Sequence, residues 1–151
     1  MEQFNILVCD DDKSIVDAIE IYLKQENYHV IKAYNGLEAL QALEENEVHL
    51  ILLDIMMPQM DGIELISCLR SDFNTSHIPI LMITAKHEDD THVKAMKYGA
   101  DGYIAKPFTM ELLIARIDNM LERRRQLLST LSVLAETKAT GKVEISPEEI
   151  V

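Results

Sequence analysis

Five short apolar runs separated by longer amphipathic stretches constrain this chain more than any other feature. The runs fall at residues 6–9, 29–33, 48–53, 78–83 and 103–105. Positions 50–53 and 80–83 are apolar throughout rather than alternating, as strands covered on both faces must be. The intervening stretches have helical spacing. Val16, Ile19 and Leu23 share one face of the first; Leu37, Leu40 and Leu43 stripe the second; Ile63, Ile66 and Leu69 stripe the third. A fourth helix is predicted from Asp89 to Tyr98, with Glu88, Asp89 and Asp90 at its positive end and Gly99 as its stop. Strand and helix in strict alternation predict an α/β fold, a doubly wound parallel sheet with helices on both faces. Five such units fit residues 5–122.

At 151 residues there is room for one well-cored domain and a short appendage. A net charge of −12 argues against contact of this segment with nucleic acid or an anionic membrane. No apolar run approaches the roughly 18 residues of a membrane span, and Met1, Glu2, Gln3 and Phe4 do not open a signal peptide. Cys9 and Cys68 form neither a disulfide framework nor a metal spacing, and Cys9, inside an apolar run, is expected to be a buried small hydrophobe. These features suit a reducing cytoplasm.

Beyond Leu121 the composition changes. Arg123, Arg124 and Arg125 form a basic cluster in an acidic chain, followed by leucines at helical spacing. Residues 1–122 are expected to be the domain, and 123–151 a helical extension and linker. Leu113, Ile117, Met120, Arg124, Leu127, Leu131 and Leu134 alternate steps of four and three, the seam of a coiled coil, so a homodimer is a candidate assembly. Residues 137–143 (TKATGKV) read as a flexible connector. Ser146, Pro147, Glu148 and Glu149 read as a helix start close to the chain end, which implies that a longer protein continues past it.

In a doubly wound sheet, ligands bind beyond the carboxyl ends of the strands. Here those ends carry Asp10, Asp11 and Asp12, then Asp54, then Thr84, then Lys106 followed by Pro107. Taken singly each has a bland explanation, and Asp12 fits a helix cap well. Their coincidence is harder to dismiss. Two carboxylates ~4 Å apart repel by roughly 4 kcal/mol at an effective dielectric of about 20. Three such pairs strain a fold whose whole stability is about 5–15 kcal/mol. Lys106 offsets one charge; a hard divalent cation on oxygen ligands offsets the rest, and Mg²⁺ suits a site with few carboxylates that also holds phosphate. A carboxylate beside Mg²⁺ and a lysine can attack a phosphoryl donor without a general base, and a threonine hydroxyl can donate to a phosphoryl oxygen.

The segments Ile6-Leu-Val-Cys-Asp-Asp-Asp12, Leu52-Leu-Asp-Ile-Met-Met-Pro-Gln-Met-Asp-Gly62, Ile83-Thr-Ala85 and Gly99-Ala-Asp-Gly-Tyr-Ile-Ala-Lys-Pro-Phe108 occur in that order. Together they make residues 5–122 resemble the receiver domain of bacterial two-component response regulators. The resemblance implies a flavodoxin-like five-stranded sheet and a signalling switch, not an enzyme beyond its own phosphorylation and dephosphorylation. It implies a histidine kinase as phosphodonor and Asp54 as phosphoacceptor. Mg²⁺ would be held by Asp11, Asp54 and the Met56 backbone carbonyl, with Asp10 acting through water. Thr84 and Lys106 would bind the phosphoryl group, and the Lys106–Pro107 bond would be cis. Thr84 and Tyr103 would form the switch, biasing a surface of helix four, strand five and helix five. Met56 and Lys86 occupy the positions that tune dephosphorylation. A narrower resemblance of residues 75–79 and 112–127 to receivers of Bacteroidetes-type hybrid sensors implies an AraC-type DNA-binding domain downstream, and hence control of transcription.

Other readings fit less well. A haloacid-dehalogenase-type phosphatase would place an acid where this chain has Met56, and a flavodoxin would want a Ser/Thr/Gly-rich loop where it has three aspartates. A pseudo-receiver is disfavoured because every site position is filled. His29, His49, His77, His87 and His92 show no ligand spacing and are expected at the surface or at strand ends. Met56, Met57 and Met60 are expected in loop and core packing, and Gly36 and Gly62, after Asn35 and Asp61, in turns.

Overall fold

The computed structural model of the chain describes residues 3–57, 61–85 and 89–140. Five strands, Asn5–Cys9 (β1), His29–Ala33 (β2), Leu50–Asp54 (β3), Ile80–Ala85 (β4) and Gly102–Lys106 (β5), alternate with five helices. The helices are Lys13–Gln25 (α1), Gly36–Glu45 (α2), Gly62–Ser71 (α3), Asp89–Tyr98 (α4) and Met110–Thr140 (α5). All strands are parallel, in the order β2-β1-β3-β4-β5. This is the flavodoxin-like doubly wound arrangement expected from the alternation and the resemblance. Two compact units are distinguished, Met1–Ile117 and Asp118–Val151.

Burial follows the apolar runs. β1 and β3 lie inside the sheet, and Ile6, Leu7, Val8, Cys9, Leu50, Leu52 and Leu53 have no exposed surface. Leu7, Cys9, Ile51, Leu53, Ile80 and Met82 join Ala39, Ala42, Ile66, Leu69 and Ala95 in one core cluster. The alternate strand residues point to the opposite face. Val16, Ile19, Leu23, Leu113 and Ile117 are fully buried outside that cluster, so apolar side chains cover both faces. Each such large side chain withdrawn from water contributes about 1.5–3 kcal/mol.

The stripe Val16, Ile19 and Leu23 on α1 is buried as expected. On α2 it is not: Leu37 is 72% exposed, while Gly36, Ala39 and Ala42 are buried and Leu40 and Leu43 are partly covered. Small side chains let this helix lie close to the sheet, and the buried face is rotated from the leucine stripe. α3 buries Leu65 together with Ile66 and Leu69, leaving Ile63 at the margin. Gly36 and Gly62 are not turn residues; each is the first residue of a helix. Asn35 Oδ1 accepts from the Glu38 N–H (2.8 Å) and Asp61 Oδ1 from the Ile63 N–H (2.9 Å), so both preceding residues are N-caps. α4 runs over the expected residues and ends at Gly99 (φ +120°). There Gly99 N–H donates to Met96 O (3.3 Å) and Ala100 N–H to Ala95 O (3.0 Å), a Schellman termination. In the second unit α5 runs on to Thr140, so residues 137–140 of the expected connector are helical. Residues 141–143 and the expected helix start at 146–149 lie outside the described residues.

Candidate functional site

The strand order reverses between β1 and β3, and the crevice beyond their carboxyl ends is where such a sheet places its ligand. Register brings the acids together. Cys9 pairs with Leu53, so Asp10, immediately after β1, lies beside Asp54, the last residue of β3. On the other side Asp54 pairs with Ile83, Thr84 with Ala105 and Ala85 with Lys106. Three successive rows of parallel pairing thus gather Asp10, Asp54, Thr84 and Lys106 at one edge.

Asp10, Asp11 and Asp54 each offer a carboxylate oxygen within 4.8 Å of the others. Even at 4.8 Å two ionised carboxylates repel by roughly 3.5 kcal/mol at an effective dielectric of about 20. Asp10 and Asp54 are buried, whereas Asp11 is exposed and better screened. Lys106 Nζ lies 3.3 Å from Asp54 Oδ2 and 3.7 Å from Asp10 Oδ2, the second an ion-pair distance too long for a hydrogen bond. The Lys106–Pro107 bond is cis.

The remaining carboxylate oxygens are fixed by backbone. Asp54 Oδ1 accepts from the Met56 N–H (2.9 Å), and Asp10 Oδ1 accepts from the Asp12 N–H (2.9 Å). Asp12 caps α1, its Oδ1 accepting from Ser14 N–H (3.0 Å) and Ile15 N–H (3.4 Å), and is not among the clustered acids. Asp10 Oδ2 is left buried without a hydrogen-bond donor. Burial above all, with the neighbouring Asp54 charge adding to it, pushes the Asp10 carboxyl up to about 6, against the opposing pull of the Asp12 N–H and Lys106. A buried acceptor with no donor, beside two more carboxylates, is the environment a hard cation satisfies. The all-oxygen donor set fits Mg²⁺.

Thr84 is buried at 3% exposure, whereas Tyr103, two residues along β5 from Ala105, is 39% exposed. Met56 is 53% exposed, while Met57 is buried with its sulfur 3.7 Å from the thiol of Cys9. Cys9 has no exposed surface, and burial pushes its thiol up to about 12, as an inert core residue requires. His29 opens β2 and is exposed, as is His77; His49 precedes β3 and accepts from the Asn5 N–H at Nδ1 (2.9 Å). Lys86, His87 and Met60 lie outside the described residues.

A family model for the response regulator receiver domain matches residues 6–118. The chain belongs to that family. The receiver is 37% identical over 145 residues to the transcriptional regulatory protein SrrA of Staphylococcus aureus, an alignment covering 96% of this chain and 58% of SrrA. It therefore spans little more than half the length of that relative. Among solved structures it resembles a CheY-like receiver domain protein of Methanospirillum hungatei (TM-score 0.77, 30% identity, covering 83% of this chain and 98% of the other). It also resembles a putative response regulator of Chloroflexus aurantiacus (TM-score 0.76, 32% identity, 80% and 99% covered). The chain is a receiver domain of the two-component kind, a signalling module whose family switches on phosphorylation, takes phosphate from histidine kinases and binds Mg²⁺ at an acidic pocket. No helix among the described residues is long and apolar enough to cross a membrane.

One role of Met56 and one whole residue, Arg70, were not foreseen from the sequence. The Met56 N–H, not only its carbonyl, holds Asp54; the habit of Asp to bond its own backbone two residues on was the available signal. Arg70 donates from Nε to Gly99 O (2.9 Å), from Nη1 to Ile78 O (2.7 Å) and Ser76 O (3.1 Å), and from Nη2 to Asp101 Oδ2 (2.6 Å). It ties the end of α3 to the end of α4 and the start of β5.

Proposed function

We propose that this receiver accepts a phosphoryl group from a histidine kinase on Asp54, with Mg²⁺ held by Asp11, Asp54 and the Met56 carbonyl and by Asp10 through water. The observation that supports this best is the position of Asp54: a buried strand-end carboxylate, 3.3 Å from Lys106 and clustered with Asp10 and Asp11. Bound there, Mg²⁺ supplies charge neutralisation for the oxygens of the transferring group. A bond forms between an Asp54 carboxylate oxygen and phosphorus as the bond from phosphorus to the donor imidazole nitrogen breaks, and the imidazole leaves with that electron pair. The Met56 N–H orients the nucleophile. The Lys106 ammonium, already paired with Asp54, offsets charge on the incoming phosphoryl oxygens, and the Thr84 hydroxyl donates to one of them.

Engaging that hydroxyl draws Thr84 toward Asp54 and lets Tyr103 turn inward behind it, altering the surface of α4, β5 and α5. The output is transcriptional, as the similarity to the transcriptional regulatory protein SrrA suggests, delivered through residues 123–151 to a module such as the AraC-type domain. Met56 and Lys86 tune water access to the acyl phosphate, and the receiver works in the cytoplasm. Incubation with a small-molecule phosphodonor, with Mg²⁺ or with chelator, followed by intact mass, tests the reading. A single phosphoryl increment that needs the metal is expected; no increment under either condition makes this a pseudo-receiver, and rapid consumption of donor with no phosphoprotein accumulating makes it a phosphatase.

A further inference from the structure

The second unit carries a surface that the phosphoryl site does not explain. α5 continues as helix to Thr140. On it Leu127, Leu128 and Leu131 are each exposed by 51–53%, Leu134 is half-buried, and Val133, off the line of the other three, is 58% exposed. Leu127, Leu131 and Leu134 follow the four-three rhythm of a coiled-coil seam, and Leu128 and Ala135 flank it on one side. The run from Gln126 to Ala135 contains no charged residue, although 26% of the chain is charged. A helix face meant for solvent would carry charge at this spacing.

We propose that this stripe is a pairing surface for a second copy of the chain, with Leu127, Leu131 and Leu134 as its seam. The period selects the occupant. A 3.5-residue repeat keeps its seam facing another helix of the same period, whereas an anionic membrane surface asks for cationic flanks, which residues 126–135 lack, and would meet a chain of net charge −12. Identical helices also place like residues near one another. The positions flanking this seam, Leu128, Thr130, Ala135 and Thr137, are uncharged, so two copies meet without repulsion there. Of the neighbouring basic residues, Arg125 is neutralised within its own helix by Glu122 (3.0 Å). Arg124 stands at the next position of the same rhythm before Leu127, so its charge ends the apolar seam there and keeps the pairing short and reversible. Leu113 and Ile117, which continue the rhythm toward the N-terminus, are fully buried in the first unit and take no part.

Site-directed cross-linking of the full chain tests this. In a Cys68→Ser background, which removes the exposed native thiol and leaves the buried Cys9, single cysteines replace Leu127, Leu131 or Leu134 on the seam and Ser129 or Ser132 off it. A mild oxidant then takes two thiols to one disulfide between copies. Seam cysteines are expected to give covalent dimer several-fold faster than the other two. Leu131→Asp in the native background is expected to abolish the concentration-dependent rise in sedimentation coefficient, and to leave the thermal transition of the receiver in place because Leu131 is exposed. Equal cross-linking at all five positions, or a monomer at every concentration, overturns the proposal. Cosedimentation with anionic vesicles by a chain that stays monomeric overturns it as well, in favour of a membrane occupant. None of these readouts depends on Asp54.

Discussion

Asp10 is a buried carboxylate whose charge is costly to this fold, and Asp10→Asn should make the metal-free protein more stable. Its carboxyl is raised from 3.8 to about 6, chiefly by burial and then by the charge on Asp54. The shift of roughly two units corresponds to about 3 kcal/mol of penalty on the ionised form. That figure already includes the attraction of Lys106 at 3.7 Å, and the substitution recovers only part of it because the amide that replaces the carboxylate is itself a buried polar group. The net gain near neutral pH is on the order of 1–2 kcal/mol. Asn keeps an acceptor for the Asp12 N–H, so the turn into α1 survives.

The sign with pH follows from linkage. With the folded value above the unfolded one, the folded state binds more protons between about pH 4 and 6, so this group's contribution to stability falls as pH rises through that window. The penalty is complete above about pH 7 and absent only below about pH 3, where Asp10 is protonated in both states. Urea unfolding of wild type and Asp10→Asn near neutral pH and at about pH 3, with chelator and with Mg²⁺, measures it. The variant should be the more stable near neutrality, the difference should vanish in acid, and Mg²⁺ should stabilise wild type more than the variant. A variant less stable than wild type in chelator at neutral pH, or a difference independent of pH, refutes the reasoning.

Three further outcomes are expected. Gly62→Ala places a Cβ 2.5 Å from Ile55 Cα, so it should lose about 1–3 kcal/mol of stability and slow phosphorylation by moving the residue next to Asp54; an unchanged urea midpoint contradicts this. Arg70→Met strips donors from the carbonyls of Gly99, Ser76 and Ile78, and should cost about 2 kcal/mol and speed amide exchange at residues 99–101; a change within about 0.5 kcal/mol of zero counts against the tie. Met56, half-exposed beside Asp54, has no group to orient a water, so the phosphorylated form should last minutes or longer and Met56→Asn should shorten that several-fold; a wild-type half-life of seconds without phosphatase is the contrary result.

The alternation of apolar runs and stripes carried the architecture because both sheet faces are covered, which leaves β1, β3 and β4 without polar interruptions. It misplaced strand starts for the same reason. Val48 and Ile78 are buried but lie ahead of the ladders, so an apolar run reports burial rather than pairing. At the carboxyl ends the ladders outrun the apolar runs, because Asp54, Thr84 and Lys106 are themselves in strands. The acid cluster was legible since parallel pairing brings successive strand ends to one edge. The helix starts at Gly36 and Gly62 were not, because a glycine after Asn or Asp signals a turn as readily as a capped helix. The Leu37 stripe misled on α2, where close approach favours Ala39 and Ala42 over bulk. Arg70 was invisible for a plainer reason: three of its four partners are backbone carbonyls, which no side-chain pattern encodes.

The central claim is that Asp54, and not Asp10 or Asp11 within 4.8 Å of it, carries the phosphoryl group. Borohydride reduces an acyl phosphate to the alcohol, turning the phosphorylated aspartate into homoserine and leaving free aspartates untouched. The chain is treated with phosphodonor and Mg²⁺, reduced, digested and sequenced by mass. The account predicts homoserine at position 54 alone, and its absence when Mg²⁺ is withheld or in Asp54→Asn. Homoserine at position 10 or 11, or a phosphoryl increment that persists in Asp54→Asn, contradicts it.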